Sequence, residues 1–191
     1  MDPLTLLNAQ FDDATATLER SRALLPGIYA TAERMADSLR NDGSILICGN
    51  GGSAADAQHF AAELTGRFEI DRRPLRAVPL HGDTSALTAI ANDYGFDDVY
   101  RRQVAALGRP GDVLVAISTS GNSPNIIKAV DEANQRELVT IGLLGRDGGA
   151  LLDLCDVSLV VPSERTSRIQ EIHGLIIHGW CSLLDLWMAT P

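Results

Sequence analysis

Five short apolar runs, at residues 45–48, 77–80, 113–117, 139–144 and 157–161, limit most sharply what this chain can fold into. Each is too short for an independent helix and apolar nearly throughout, the pattern of a strand buried on both faces. Between them, helical patterns run over residues 53–64, 85–91 and 124–136, and a long one follows the last run over about residues 167–187. Alternating strands and helices of this kind predict an α/β, doubly wound parallel sheet covered on both sides. Two further helical patterns, residues 4–24 and 28–40, open the chain with Pro26-Gly27 as the expected break between them. They are expected to pack on the sheet or on another subunit.

No repeat, low-complexity tract or linker divides the 191 residues, so one domain spanning residues 1–191 is the simplest organisation. Sixteen basic against 25 acidic residues leave a net charge of -9, which repels phosphate backbones and anionic lipid alike. Nucleic acid and membrane are therefore not expected partners. Lys128 is the only lysine, hence the only candidate for Schiff-base chemistry. Cys48, Cys155 and Cys181 lack metal-type spacing and read as reduced, mostly buried thiols. With no basic, apolar leader and no run approaching eighteen apolar residues, the expected location is cytoplasmic.

In a doubly wound fold, ligands bind beyond the carboxyl ends of the strands, where loops enter helices. Two such loops stand out. In the first, Gly49-Asn50-Gly51-Gly52-Ser53, the glycines permit close backbone approach and Ser53 is positioned to cap the following helix. It also contains a G-x-G-x-x-A match, with Glu69 roughly in range as a ribose acid, which leaves a dinucleotide site open. The second, Ser118-Thr119-Ser120-Gly121-Asn122-Ser123-Pro124, sets four hydroxyls before a helix whose first turn begins at Pro124. Hydroxyls and free N–H groups there can cradle a phosphate without a cation, or Ser123 can simply be a cap. Together the two loops favour a sugar phosphate.

His59 and Glu63, at i and i+4 on the helix after the first loop, share a face that suits a metal, a substrate or plain solvent. The final helix adds Gln170, Glu171, His173 and His178. Gln170 and His178 are two turns apart, roughly 12 Å of rise, and Ser167 with Gln170 also reads as a capping box.

Taken in order, CGNGGSAADAQHFAAELTGRF, AIANDYGF, GDVLVAISTSGNSPNIIKA and RTSRIQEIHGLIIHGW resemble the phosphoheptose isomerase branch of the sugar isomerase (SIS) family over nearly the whole chain. The resemblance implies a flavodoxin-like, five-stranded sheet in a homotetramer with active sites at subunit boundaries, residues 1–41 serving packing or oligomerisation. It implies phosphate binding by Ser118, Thr119, Ser120 and Ser123, and a sugar lined by Asn50, Gly51, Gly52, Ser53, Asn92 and Asp93, with Glu63 and Gln170 also in contact. Glu63 and His178 match the family's catalytic pair, and His59, Glu63, Gln170 and His178 its zinc ligands, one Zn2+ per subunit. Ser167 departs from members that carry Asp before the Arg-Ile-Gln run.

The implied reaction converts sedoheptulose 7-phosphate to D-glycero-D-manno-heptose 7-phosphate, an aldose–ketose isomerisation that opens nucleotide-activated heptose synthesis for lipopolysaccharide. The alternative within the same family is a non-catalytic tetramer that binds a sugar phosphate or the replication initiator protein; it lacks the Glu and His that this chain keeps. A sugar-phosphate sensor would need a DNA-binding domain, and a dehydrogenase would need a separate substrate domain.

Overall fold

The computed structural model describes residues 2–189. Its five strands are β1 (Ile45–Gly49), β2 (Ala77–Pro79), β3 (Val113–Ser118), β4 (Val139–Gly145) and β5 (Val157–Val161). They form one sheet in the order β2-β1-β3-β4-β5, and every neighbouring pair is parallel. This is the expected five-stranded doubly wound sheet, with each strand within a residue of its apolar run.

Both sheet faces are buried, so alternate residues of one strand serve two cores. Ile45 and Ile47, Val113, Val115 and Ile117, and Ile141 and Leu143 pack under α2 (Leu25–Arg40), α3 (Gly52–Thr65) and α7 (Thr166–Met188). Leu46, Cys48, Leu114, Ala116 and Leu144 face the other way, toward α5 (Arg101–Leu107) and α6 (Pro124–Gln135). Trp180 of α7 is fully buried in the first core, and its indole N–H donates to Thr31 Oγ1 of α2 at 2.9 Å.

Three local expectations need correction. The opening helices do not part at Pro26-Gly27: α1 (Pro3–Ser21) ends earlier, a 3-10 turn covers Arg22–Leu24, and α2 starts at Leu25. Pro26 sits in the first turn of α2, where the missing N–H would have no partner anyway. Ser53 does not cap α3; Gly51, at φ 57°, is the N-cap residue and Ser53 is buried inside the first turn. Nor does Ser167 form a capping box with Gln170, because α7 already begins at Thr166. The sequence pattern also missed α5, seven residues with too little length to show a period.

A helix α4 (Thr84–Tyr94) follows β2, and none of its residues is buried. α1 is open over its first half, with Leu4, Leu7 and Phe11 exposed, and buries only Thr17 and Ser21. It is tied to the start of α7 by polar contacts, Arg165 to Asp13 at 2.7 Å and to Gln10 at 2.7 Å, and the Arg168 guanidinium to the Gln10 carbonyl. Among the described residues, no helix is long and apolar enough to cross a membrane.

Candidate active site

Because β1 and β3 are sheet neighbours, the two singled-out loops leave their strands side by side. They are joined by a pair of primary amides. Asn50 Nδ2 donates to Asn125 Oδ1 at 2.9 Å, and Asn125 Nδ2 donates to Asn50 Oδ1 at 2.8 Å. Asn125, buried in the first turn of α6, is a residue the sequence reading missed. Tyr100, also missed, anchors the first loop by donating its hydroxyl to the Gly49 carbonyl.

The second loop is folded around its own hydroxyls. Ser118 Oγ accepts from the Gly121 N–H at 3.1 Å and lies 3.4 Å from Ser123 Oγ. Thr119, Ser120 and Ser123 are half-exposed, and the Ser123 side chain makes no capping bond at the N-terminus of α6. Gly121, at φ 64°, is required here, since a Cβ would overlap the Gly148 carbonyl. The result is a hydroxyl-lined turn at a helix N-terminus, suited to a phosphate.

The long final helix is brought to the first loop by Gln170. Its side-chain amide lies directly against Gly52, in the space a Cβ would fill. Two turns later His178 meets α3: His178 Nε2 and His59 Nε2 are 3.0 Å apart, the rings edge-to-face at 76°. The other nitrogen of His59, Nδ1, lies 3.6 Å from Glu63 Oε1. Glu63 and His178 thus flank one imidazole. Glu63 is only 23% exposed, and burial, with a smaller push from the Glu63 charge, holds the neighbouring Cys181 thiol up at about 12. Beside His59 on the same helix, Asp56 is half-buried with Oδ2 unpartnered, and burial raises its carboxyl while His59 opposes the rise.

The other sequence candidates fall elsewhere. Asn92 and Asp93 are exposed on the last turn of α4 and bond to each other at 2.8 Å rather than to either loop. Glu69 lies before β2 in a segment bound to α7, its backbone N–H on Asp185, which gives no support to a ribose acid for the first loop. Lys128 is paired with Asp98 at 2.9 Å. His173 is buried with its ring on the Leu144 carbonyl at 2.9 Å, and burial lowers its pKa to about 4. All three cysteines are free.

Two nitrogens on one tetrahedral zinc, at roughly 2.0–2.1 Å each, stand about 3.3 Å apart. The His59 and His178 pair is close to that spacing and is a donor set zinc accepts. Glu63 faces the opposite nitrogen of His59 and Gln170 lies on Gly52, so these two oxygen donors are not on the pair. Among the described residues, no group of three or more His, Cys, Asp or Glu converges as a metal site.

The SIS domain model matches residues 10–145. A phosphoheptose isomerase of Bordetella avium is 54% identical over 189 residues, covering 97% of this chain and 96% of the relative. The chain belongs to the phosphoheptose isomerases of the SIS domain family. Solved phosphoheptose isomerases carry the same fold. One from Neisseria gonorrhoeae superposes with a TM-score of 0.92 at 51% identity, and one from Francisella tularensis with 0.95 at 42%; each match covers 97% of this chain and 100% of the other. Family membership makes the protein an aldose–ketose isomerase and disfavours the non-catalytic alternative, in keeping with its retained Glu63 and His178.

Proposed function

We propose that the protein interconverts sedoheptulose 7-phosphate and D-glycero-D-manno-heptose 7-phosphate through an enediolate, with Glu63 and His178 moving the protons. The observation that carries this reading is the approach of Glu63 on α3 and His178 on α7 to the two edges of His59, in a chain more than half identical to a phosphoheptose isomerase. The turn at Ser118–Ser123 holds the phosphate and the loop at Asn50–Ser53 the sugar hydroxyls, with Gln170 beside Gly52 of the latter. Asn92 and Asp93, which meet neither loop within one chain, would line the sugar only from a neighbouring subunit.

The Glu63 carboxylate takes the proton from the carbon beside the carbonyl and returns it to the neighbouring carbon. The imidazole of His178 moves a proton between the two oxygens, since one ring can both give and take a proton. His59 and His178 would hold a zinc ion through their facing Nε2 atoms, and Glu63 and Gln170 would have to turn from His59 Nδ1 and Gly52 to add oxygen donors. When bound, zinc polarises the carbonyl and stabilises the developing oxyanion.

A homotetramer belongs to the same reading. A largely apolar groove of about 420 Å³ runs between α1–α2 and α7, lined by Leu18, Leu25, Ile28, Ile172, Leu175 and Ile176 among others. Exposed Leu4, Leu7 and Phe11 on α1 supply an apolar surface for a second copy to cover. The free thiols suit a reducing cytoplasm. The product feeds heptose for surface polysaccharide.

Incubating zinc-replete protein with sedoheptulose 7-phosphate and following the aldose anomeric proton by NMR tests the reaction. The expected result is a growing aldoheptose signal, and its absence from a folded, zinc-loaded tetramer would overturn the assignment.

A further inference from the structure

Residues 66–76, between α3 and β2, contain no regular element, yet they are bound to α7 by an ion pair removed from solvent. Arg72 Nε donates to Asp185 Oδ1 at 2.7 Å, with side-chain exposures of 0% and 1%. Asp185 Oδ2 accepts the N–H groups of Glu69 and Ile70 at 2.8 and 2.9 Å. The rest of the guanidinium turns to α3: Nη2 donates to the carbonyl of Glu63 at 2.9 Å and Nη1 to that of Leu64 at 3.0 Å. A buried ion pair is a weak source of net stability, because desolvation offsets its attraction, and its best-attested value is in fixing one arrangement over others.

Within the same segment Phe68 stacks on His178, ring centroids 5.5 Å apart and planes 25° from parallel. His178 therefore has Phe68 on its face and His59 at its edge. Asp185 lies seven residues beyond His178 on α7, and Arg72 grips the carbonyl of Glu63 itself. The segment thus touches both members of the proton-transfer pair, one through its backbone and the other through its ring.

We propose that Asp185, Arg72 and Phe68 are positioning residues: the buried pair fixes the segment so that Phe68 orients the His178 imidazole while Arg72 fixes the last turn of α3 beneath Glu63. The proposal rests on the catalytic roles given above to Glu63 and His178. Lysine cannot replace Arg72, because a single ammonium cannot bond Asp185 and two divergent carbonyls with the fixed fork of a guanidinium.

The test combines kinetics with NMR of protein labelled at its four histidines. In the parent, the Phe68 ring current is expected to shift the His178 ring protons upfield. In Asp185→Asn and Arg72→Lys, which both retain Phe68, that shift is expected to shrink, and kcat to fall roughly 10- to 100-fold while KM changes much less. Phe68→Leu is expected to lower kcat in the same way and Phe68→Tyr, which keeps a flat ring, to restore it. Folded Asp185→Asn protein with an unmoved His178 signal and parental kcat would overturn the proposal. If Asp185→Asn does not fold, equal kcat in Phe68→Leu and Phe68→Tyr would do so. A parent without activity on sedoheptulose 7-phosphate would instead sink the functional reading, and the ring-proton shift in Arg72→Lys would still decide whether the pair orients His178.

Discussion

His59 and His178 face each other across α3 and α7 with their Nε2 atoms 3.0 Å apart, although 119 residues separate them in the chain. Two uncharged imidazoles at this distance share one proton as donor and acceptor, whereas two imidazoliums repel. The contact is therefore suited to a shared proton or a shared cation. Its geometry leads to the first expectation.

Zinc should bind with both rings. Protein stripped with a chelator and re-exposed to zinc is expected to take up one ion per chain by mass spectrometry, and His59→Ala to lose most of that uptake. Undiminished zinc uptake in His59→Ala would remove this ring from the ligand set.

Glu63→Gln keeps the shape of the side chain and removes the base. A positioned base contributes about 10²- to 10⁴-fold in rate, so kcat should drop by that order with the circular dichroism spectrum unchanged. Parental turnover would take the carboxylate out of the mechanism.

Ser123→Ala should act on KM. The side chain of Ser123 makes no capping bond, so its loss leaves α6 intact while removing one donor to a phosphate. A hydrogen bond to a charged group is worth about 1.5–3 kcal/mol, which predicts a rise in KM of roughly 10- to 100-fold if the bond is equal in ground and transition states. Unchanged KM would place the phosphate elsewhere.

Acid should weaken the fold through His173. Burial lowers its pKa to about 4 in the folded chain, against about 6.5 in the unfolded one. Between those values the unfolded chain binds a proton that the folded one refuses, so this contribution is intact above pH 6.5 and is lost as pH falls toward 4. The loss amounts to roughly 3 kcal/mol at 1.36 kcal/mol per pK unit. Urea unfolding at pH 7.5 and 4.5 measures it, and His173→Gln should flatten the difference by that amount. An equal pH dependence in both proteins would mean that His173 titrates normally.

The sheet was legible because strands buried on both faces leave unbroken apolar runs, and the loops because their glycines and hydroxyls crowd the strand ends. What escaped depends on partners distant in the chain. Asn125 reads as an ordinary first-turn residue until Asn50, 75 positions away, completes its amide pair. Phe68 and Arg72 lie in an irregular segment with no period, and the partner of Arg72, the lone carboxylate Asp185 within Leu183-Leu184-Asp185-Leu186-Trp187, is 113 residues away. Gln170 looked like half of a capping box because a local motif and a long-range contact use the same amide.

The strand order has its own outcome. With β2 on one side of β1 and β3 on the other, the helices leaving β1 and β3 fall on opposite faces, α3 in one core and α6 in the other. Their first turns diverge like the covers of an opened book, so the hollow between them exists before any side chain is chosen. Substitutions that retune the substrate can accumulate along its rim without disturbing the spine.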